Sequence, residues 1–357
     1  MDKTIFIVDD NDTNLAMAEE ALEASYEVLT LPSAARMFAT LEKVIPDLIL
    51  LDIEMPEMDG FEALHLLKEN ERYASIPVIF LTGKSDPANE ARGFELGVVD
   101  FVAKPFSASV LLNRIKTHLH IDMLIRERTA QLQRLQHALV FVLADMVESR
   151  DKETGGHVER TALYLKILIE GMQQRGLYLD EIRQLNIESA VSSARLHDVG
   201  KIAIPDGILN KPGKLTPEEF ETMKSHVEEG AKIIDQIVSR TGEVAFLRNA
   251  RLFVCYHHER WDGRGYPYGL AGEEIPLHGR IMAVVDVYDA LISVRPYKEA
   301  FSQEKAIDII MESAGKQFDP AIAKVFYEVR EQLFAVSTDL NQRTASGFHS
   351  LEGYPAG

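Results

Sequence analysis

The sequence of 357 residues contains one cysteine, Cys255, and therefore cannot form an internal disulfide. Zinc sites built from several thiolates are also excluded, so any metal ion has to be bound by histidines and carboxylates. No uncharged apolar run reaches the ~18 residues of a membrane-spanning helix, and the start, Met1-Asp2-Lys3, is not followed by the apolar core of a signal peptide. We expect a cytoplasmic protein that does not interact with membranes.

Positive charge is scarce as well. Lys and Arg total 38 residues against 56 for Asp and Glu, which gives a formal net charge of −18. A field of this sign repels a phosphate backbone, so we expect no DNA binding. Hydrophobic residues (46%) and charged residues (26%) are in the usual proportion for a globular protein, and the length leaves room for two domains of about 150 residues.

The first part of the chain alternates short apolar runs with amphipathic stretches. The apolar runs are Ile5–Val8, Asp47–Leu51, Pro77–Leu81 and Val98–Val102. Such alternation is typical of an α/β fold, in which a doubly wound parallel sheet carries helices on both faces. We expect this domain to end near residue 120.

A segment without proline or glycine follows, from Leu111 to Met146. Its apolar residues return every three or four positions, which predicts a helical linker. Asp122 and Thr129 interrupt the apolar stripe, so two arrangements stay open: a coiled coil in a homodimer, and a single helix that packs on its own domains. After residue 150 the strand signals nearly disappear, which predicts a mostly α-helical second domain. The Ser-, Gly- and Thr-rich chain after residue 338 should be a flexible tail.

Polar residues follow the predicted strands. Asp9 and Asp10 come after the first run, Asp52 after the second, Thr82 after the third and Lys104 after the fourth. Groups at the carboxyl ends of parallel strands gather at one edge of the sheet, where carboxylates repel one another unless a cation such as Mg²⁺ binds. Such a site suits transfer of a phosphoryl group to the Asp52 carboxylate, because Mg²⁺ and Lys104 offset the charge on the phosphoryl oxygens.

This part of the chain resembles the receiver domain of two-component response regulators. The motifs that carry the resemblance are Val8-Asp9-Asp10, Asp52 with Met55-Pro56 and Asp59-Gly60, Thr82-Gly83, and Lys104-Pro105-Phe106. The resemblance implies a five-stranded sheet in which Asp9, Asp10 and Asp52 bind Mg²⁺. Asp52 would accept its phosphoryl group from a sensor histidine kinase. The residues implied to respond to phosphorylation are Thr82, Phe101 and Lys104.

Histidines are concentrated in one stretch of the second domain. They are His157, His197, His226, His257 and His258. Asp198 adjoins one of them, and Asp286 lies inside an apolar run, where a charge requires a partner or a metal ion. Mixed imidazole and carboxylate ligands suit Fe, Mn, Zn or Ni, and a carboxylate such as Asp198 can bridge two ions about 3.5–4 Å apart. The pattern indicates hydrolysis of a phosphate ester.

The order of these residues resembles the HD-GYP family of cyclic di-GMP phosphodiesterases, a branch of the HD phosphohydrolases, over residues 140–335. The further motifs are Val199-Gly200-Lys201, Ile204-Pro205-Asp206, Lys211-Pro212-Gly213, Trp261-Asp262-Gly263, Gly265-Tyr266-Pro267, Arg295-Pro296-Tyr297 and Phe318-Asp319-Pro320. The implied metal ligands are His157, His197, Asp198, His226, His257, His258 and Asp286. Asp198 would bridge the ions and act in catalysis together with Lys201. The implied substrate-binding residues are Tyr266, Arg295 and Lys298.

Glu153 is a further implied ligand, because some members of the family use a glutamate at this place to hold a third metal ion. In a helix, Glu153 and His157 would share one face, but Gly155 and Gly156 disfavour a helix there. A glutamate on a loop that faces solvent is therefore the alternative. We expect two divalent transition-metal ions, Fe or Mn in preference to Zn or Ni, and leave a third ion open.

The resemblance implies a response regulator that hydrolyses cyclic di-GMP to linear pGpG and then to GMP, through a hydroxide that bridges the two metal ions. Two alternatives stay open. One is a hydrolase that prefers pGpG or another cyclic dinucleotide, and the other is a phosphorylation-switched binding module with low activity. The expected domains are a receiver at 1–120, a helical linker at 121–146, an HD-GYP phosphohydrolase at 147–337 and a flexible tail at 338–357.

Overall fold

The computed structural model describes residues 3–83, 87–150, 156–293 and 300–345. The chain forms two compact units, Met1–Gln133 and Arg134–Gly357. The first unit is built on a β-sheet, and the second is built from helices. The predicted fold class, a doubly wound α/β domain followed by a mostly α-helical domain, is confirmed.

The sheet of the first unit has five parallel strands in the order β2-β1-β3-β4-β5. The strands are Thr4–Val8 (β1), Glu27–Leu31 (β2), Leu48–Asp52 (β3), Val78–Thr82 (β4) and Asp100–Ala103 (β5). The chain passes from β1 to β2 on one side and then to β3 on the other, so the strand order reverses between β1 and β3. Val8 pairs with Leu51 there, and Asp9 and Asp52 follow at the carboxyl edge where α/β proteins bind ligands.

Helices cover both faces of this sheet. They are α1 (Asp12–Leu22), α2 (Ala34–Leu41), α3 (Gly60–Glu69) and α4 (Pro87–Glu95). Side-chain caps define where they begin: Asn11 accepts hydrogen bonds from two amides of α1, and Asp59 and Glu62 form a capping box on α3. Alternate strand residues fill the two cores, with Phe6 and Val8 on one face and Ile5 and Ile7 on the other.

One helix, α5 (Ala108–Glu148), follows the sheet. It confirms the helix predicted over Leu111–Met146 and is slightly longer at both ends. Several of its apolar side chains are largely exposed, among them Leu132, Leu135 and Leu139. Pairing with a second copy stays a prediction. Neither α5 nor any other helix in the described ranges is long and apolar enough to cross a membrane.

The second unit continues with eleven helices and two 3₁₀ turns among the described residues. The helices are α6 (His157–Gln174), α7 (Leu179–Gln184), α8 (Ile187–Ala194), α9 (Asp206–Leu209), α10 (Pro217–Lys224), α11 (His226–Thr241), α12 (Ala245–Tyr256), α13 (Leu277–Ile292), α14 (Gln303–Glu312), α15 (Pro320–Glu328) and α16 (Arg330–Ala345). The 3₁₀ turns are Val199–Ala203 and Gly272–Glu274.

Helices α6 and α13 form the centre of this unit. Tyr164 of α6 and Tyr288 of α13 are fully buried and meet edge to face, with ring centroids 5.2 Å apart. The run Ile281–Val285 of α13 is buried as well, because this helix is surrounded by others. The packing holds the first residue of α6, His157, beside Asp286 on α13.

The last helix of the chain, α16, extends past residue 338 to Ala345. The flexible tail expected after residue 338 stays a prediction. Leu333 is fully buried and anchors the helix, and each residue added to an existing helix gains a backbone hydrogen bond at the cost of ordering one residue. Residues 346–357 lie outside the described ranges.

Candidate functional site

A group of acidic residues lies at the carboxyl edge of the sheet. Asp9 and Asp10 follow β1 and Asp52 ends β3, and one oxygen of each carboxylate lies within 4.8 Å of the other two. Asp9 and Asp52 are buried, whereas Asp10 is exposed. Three oxygen acceptors at these distances suit a hard cation such as Mg²⁺.

Lys104 offsets part of this negative charge. Its Nζ lies 2.6 Å from Asp9 Oδ2 and 2.8 Å from Asp52 Oδ1. Burial raises the pKa of the Asp52 carboxyl above its usual value, and Lys104 opposes this effect without cancelling it. The backbone N–H of Lys104 donates to the Thr82 carbonyl at 2.7 Å, so these two residues meet at the same edge.

Phe101 lies in β5 and is buried within one of the two cores of the sheet. Its ring packs edge to face against Phe80 and Phe94, with centroids 5.6 Å and 5.1 Å away. The structure therefore brings Asp9, Asp10, Asp52 and Lys104 together and places the predicted switch aromatic in the packed interior.

The second group contains all the described metal ligands that the sequence predicts. They come from separate elements that meet at their ends. His157 begins α6, His226 begins α11, His257 and His258 follow α12, Asp286 lies in α13, and His197 and Asp198 lie between α8 and the 3₁₀ turn Val199–Ala203.

These ligands form two clusters that share Asp198. One cluster is His157, His197 and Asp198, and the other is Asp198, His226, His257 and His258; in each, one ligand atom per residue lies within 4.8 Å of the others. Asp286 Oδ1 is 3.5 Å from His157 Nε2 and 4.0 Å from His197 Nε2, which adds it to the first cluster. A carboxylate shared in this way could bridge two adjacent metal ions.

Three of the histidines bind the backbone through Nδ1. The acceptors are the carbonyls of Ala194 for His197 (2.9 Å), Met223 for His226 (2.7 Å) and Phe253 for His257 (2.9 Å). A carbonyl only accepts, so each Nδ1 carries a proton, and in the neutral imidazole the lone pair then lies on Nε2. The three Nε2 atoms lie 3.4–3.6 Å from Asp198 oxygens and have no hydrogen-bond partner within the described residues.

The contact between His226 and Asp198 indicates that a cation fits between the two side chains. Burial lowers the pKa of His226 to about 4, so its imidazole is neutral at pH 7. Burial also lowers the pKa of His258 well below its usual value. A neutral Nε2 that faces a carboxylate oxygen at 3.4 Å is a contact between two acceptors, which a cation between them makes favourable. The nitrogen and oxygen donors fit Fe, Mn, Zn or Ni.

Asp289 orients the His157 imidazole through Nδ1, whereas Nε2 of the same ring faces Asp286. His157 Nδ1 lies 2.8 Å from Asp289 Oδ2, and Arg160 donates to both oxygens of the same carboxylate at 2.6 Å and 2.9 Å. Burial raises the pKa of Asp289, but His157 and Arg160 lower it more strongly, to about 2. A carboxylate behind a ligating imidazole fixes the ring orientation. Asp289 was not among the predicted site residues; its signal was a second carboxylate in the apolar helix, three residues after Asp286.

Lys201 and Tyr266 lie at the margin of the centre. Lys201 Nζ is 3.0 Å from Asp198 Oδ2. The Tyr266 ring stacks on His258, with centroids 4.7 Å apart. Tyr266 lines a cavity of about 350 Å³, and Asp286, Phe220, Lys224 and Arg264 are among the other lining residues. Its volume is in the range of small-molecule sites.

Glu259 holds the loop that carries Tyr266. Its carboxylate is buried and accepts hydrogen bonds from the backbone N–H groups of Tyr268 (2.7 Å), Gly269 (3.2 Å) and Leu270 (3.1 Å). Because Glu259 directly follows His258, it joins this loop to a predicted metal ligand. Glu259 was not among the predicted site residues.

Gly200 determines how closely the His197-Asp198 segment approaches α11. A Cβ at this position would lie 1.8 Å from the His226 carbonyl oxygen and 2.5 Å from the Gly230 nitrogen. Only a residue without a side chain permits this approach. The contact between Asp198 and His226 therefore depends on glycine at position 200.

Three predicted site residues lie outside the described ranges. Glu153 falls in the gap between residues 150 and 156, and Arg295 and Lys298 fall in the gap between residues 293 and 300. Their roles at the metal centre and in substrate binding stay predictions.

Comparison with known proteins gives two family matches. Residues 5–116 match the response regulator receiver domain, and residues 142–322 match the HD domain. The chain is 43% identical over 346 residues to a Vibrio cholerae protein named "Probable cyclic di-GMP phosphodiesterase". This alignment covers 93% of this chain and 78% of that protein.

Two further relatives extend this comparison. The cyclic di-GMP phosphodiesterase response regulator RpfG of Xanthomonas campestris is 38% identical over 301 residues, covering 80% of this chain and 76% of that protein. The "3'3'-cGAMP-specific phosphodiesterase 2" of Vibrio cholerae is 38% identical over 209 residues, covering 58% of this chain and 38% of that protein.

A receiver-type sheet followed by a helical domain with a histidine and carboxylate centre defines a response regulator with a hydrolase as its output domain. The chain belongs to the HD-GYP family of response regulators, with an N-terminal receiver domain and a C-terminal HD domain. The family predicted from the motifs is confirmed. The matches support a phosphodiesterase-type hydrolase and leave the metals unidentified.

Proposed function

We propose that this protein is a metal-dependent phosphodiesterase that hydrolyses cyclic di-GMP to pGpG and then to GMP, under control by phosphorylation of Asp52. Two relatives named for cyclic di-GMP, one of them a response regulator, each align with most of the chain, which supports this substrate. The observation that carries the proposal is the set of imidazole Nε2 atoms that face Asp198 without hydrogen-bond partners in the described part of the chain.

The proposed metal ligands are His157, His197, Asp198, His226, His257, His258 and Asp286. Two ions, Fe or Mn in preference to Zn or Ni, would share Asp198. When bound, such ions offset phosphate charge and bring the pKa of a water molecule towards neutrality. The chain itself orients the imidazoles through their Nδ1 hydrogen bonds and keeps the ligands of both clusters largely out of bulk water.

Lys201 is the proposed catalytic cation. Its Nζ contacts the shared carboxylate of Asp198, so its positive charge lies where the scissile phosphate has to approach the centre. There it would stabilise charge that develops on the phosphoryl oxygens. Tyr266 would contact the substrate from the wall of the 350 Å³ cavity, and Arg295 and Lys298 would bind its phosphates.

A third metal ion at Glu153 is the open part of this proposal. It is tested by the metal-to-protein ratio of wild type and Glu153→Ala, each loaded with the same metal. An equal ratio in the two proteins would confine the centre to two ions, and a lower ratio in the variant would assign the third ion to Glu153.

The receiver domain would control the hydrolase. Asp9, Asp10 and Asp52 would bind Mg²⁺, a sensor histidine kinase would supply the phosphoryl group, and Asp52 would accept it. The residues proposed to respond are Thr82, Phe101 and Lys104. A location in the cytoplasm and a homodimer paired through α5 belong to the same proposal.

A second candidate function is hydrolysis of another cyclic dinucleotide or of pGpG. The observation that favours it is the similarity over 209 residues to the relative named as specific for 3'3'-cGAMP. The metal centre recognises a phosphodiester, and bases are discriminated by the cavity. A binding module of low activity is the remaining alternative.

The deciding experiment compares kcat/KM for cyclic di-GMP, 3'3'-cGAMP and pGpG with Mn²⁺ or Fe²⁺. We expect the highest value for cyclic di-GMP and its loss in Asp198→Ala and His257→Ala. The matched control is His65→Ala, which removes an exposed histidine of α3 in the receiver unit. A higher value for another dinucleotide would support the second candidate, and no turnover by metal-loaded protein would support the binding module.

A further inference from the structure

The last turn of α5 contacts two parts of the metal centre. Glu148 is the final residue of this helix, and Arg150 follows it closely. We propose that Glu148 and Arg150 are positioning residues, in which Glu148 sets the place of the ligand His157 and Arg150 sets the place of the segment that carries Lys201. The inference rests on the function proposed above.

Glu148 caps the helix that begins with His157. Its Oε1 accepts a hydrogen bond from the His157 backbone N–H at 2.9 Å, and its Oε2 accepts one from the Val158 N–H at 3.3 Å. The preceding residue, Gly156, has no side chain that can serve as a cap. The first amides of a helix need acceptors and carry partial positive charge, so a carboxylate there is favourable. The carboxylate that satisfies α6 therefore comes from α5.

This hydrogen bond acts on the ligand itself. His157 has two restraints, the Asp289 carboxylate at its ring and the Glu148 carboxylate at its backbone. Glu148 and the His157 backbone amide are both buried, so water does not readily replace the lost acceptor. Loss of Glu148 is expected to shift the first turn of α6 and move His157 Nε2 away from Asp198 and Asp286.

Arg150 contacts the chain just beyond Lys201. Its guanidinium donates to the carbonyls of Ile202 at 2.6 Å and Ile204 at 3.2 Å, and to Asp206 Oδ1 at 2.8 Å. Its own carbonyl accepts a hydrogen bond from Asn210 at 2.9 Å. The planar guanidinium makes several bonds of fixed geometry, so it restrains the exit of the 3₁₀ turn that contains Lys201.

A small cavity lies between the end of α5 and the metal centre. A cavity of about 20 Å³ is lined by Val147 and Glu148 from α5 and by His157, Asp198 and Lys201 from the centre. The end of α5 therefore forms one wall of this cavity. Val140, two turns earlier, packs in one cluster with Leu196, the neighbour of His197. The end of α5 is thus part of the support of the metal centre.

The role of Glu148 is tested by metal affinity, which does not depend on any substrate. Mn²⁺ binding is measured by competition with a chelator in the full-length protein. Glu148→Ala is expected to weaken binding by about 10–100-fold, the usual effect of removing a group that supports a ligand. Glu148→Gln keeps an acceptor oxygen and is expected to recover part of this loss. Asp145→Ala, which removes an exposed carboxylate from the same helix, is the matched control.

The role of Arg150 is tested by separating kcat from KM. Arg150→Ala is expected to lower kcat about 10–100-fold through displacement of Lys201, with metal content unchanged. Arg134→Ala, an exposed arginine of α5, is the control, and circular dichroism checks that each variant is folded.

The results support or contradict the positioning roles of Glu148 and Arg150. If Glu148→Ala and Glu148→Gln both bind Mn²⁺ like wild type, Glu148 does not position His157. If Glu148→Ala is unfolded, the affinity of Glu148→Gln decides alone. If Arg150→Ala changes KM but not kcat, Arg150 does not act through Lys201. Failure of wild type to hydrolyse cyclic di-GMP would count against the proposed substrate and leave the affinity result for Glu148 valid.

Discussion

His157 and Asp289 are joined by a hydrogen bond of 2.8 Å between Nδ1 and a carboxylate oxygen, 132 residues apart in sequence. Asp289→Asn is expected to weaken Mn²⁺ binding by about 10–100-fold, because the amide holds the imidazole less firmly and lowers its basicity. The measurement is chelator competition, with Asp308→Asn, an exposed position on α14, as the control. Wild-type affinity in the Asp289 variant would remove Asp289 from the support of the centre.

Lys201→Ala is expected to lower kcat about 10²-fold or more, as loss of one group that stabilises developing oxyanion charge does. Metal content should stay unchanged, because Lys201 contacts Asp198 but does not complete the ligand set. The comparison uses Lys214→Ala, an exposed lysine, and measures both turnover and bound metal. Loss of metal from the Lys201 variant would make this residue structural and contradict the assigned role.

Phosphorylation of Asp52 is expected to change hydrolysis or self-association. The phosphoryl group adds negative charge beside Lys104, which now pairs with both Asp9 and Asp52, so these contacts have to rearrange. Turnover and mass in solution are measured with and without a small-molecule acyl phosphate. Asp52→Asn should not respond, whereas Asp12→Asn, an exposed neighbour, should respond like wild type. An unresponsive wild-type protein would show that the receiver is not a switch for this output.

The stability of the receiver unit should depend on the pair of Asp100 and Arg114. Burial raises the pKa of Asp100, but hydrogen bonds from Arg114 and His118 lower it more, so the fold favours the ionised carboxylate. A carboxyl with a lowered pKa contributes stability above its usual pKa, and this contribution is lost as pH falls through the lowered value. Asp100→Asn is therefore expected to cost about 0.2–1 kcal/mol at pH 7 and less at pH 3. Thermal melts at both pH values test this; an equal loss at both would contradict it.

The sequence predicted the parts of the fold that carry strong apolar patterns. Strands β1, β3 and β4 are buried on both faces and produced continuous apolar runs. β2 was not among the four runs, because it lies at the edge of the sheet and only Leu31 of its five residues is buried. The fifth strand followed from the family resemblance alone.

The residues of the candidate site also fall into two groups, those that the sequence motifs predict and those that only the structure reveals. Histidines and aspartates of the two clusters have distinctive spacings, so the motifs indicated them, and the structure brings the described ones together. Glu148, Glu259 and Asp289 support the centre through hydrogen bonds to residues or backbone elsewhere in the fold. A glutamate or aspartate in a helical pattern looks like an ordinary charged residue, and only the tertiary contact reveals its function.

Gly200 makes the metal centre sensitive to enlargement at a position that contributes no chemical group. Alanine adds one methyl carbon, yet that carbon would lie 1.8 Å from the His226 carbonyl oxygen, far inside van der Waals contact. Relief requires α11 to move outward and carry His226 away from Asp198. A relative that keeps every histidine and aspartate but has a larger residue here would therefore retain the ligands without their spacing. A change at position 200 alters the distance between ligands and not their number, so a count of ligands would not detect it.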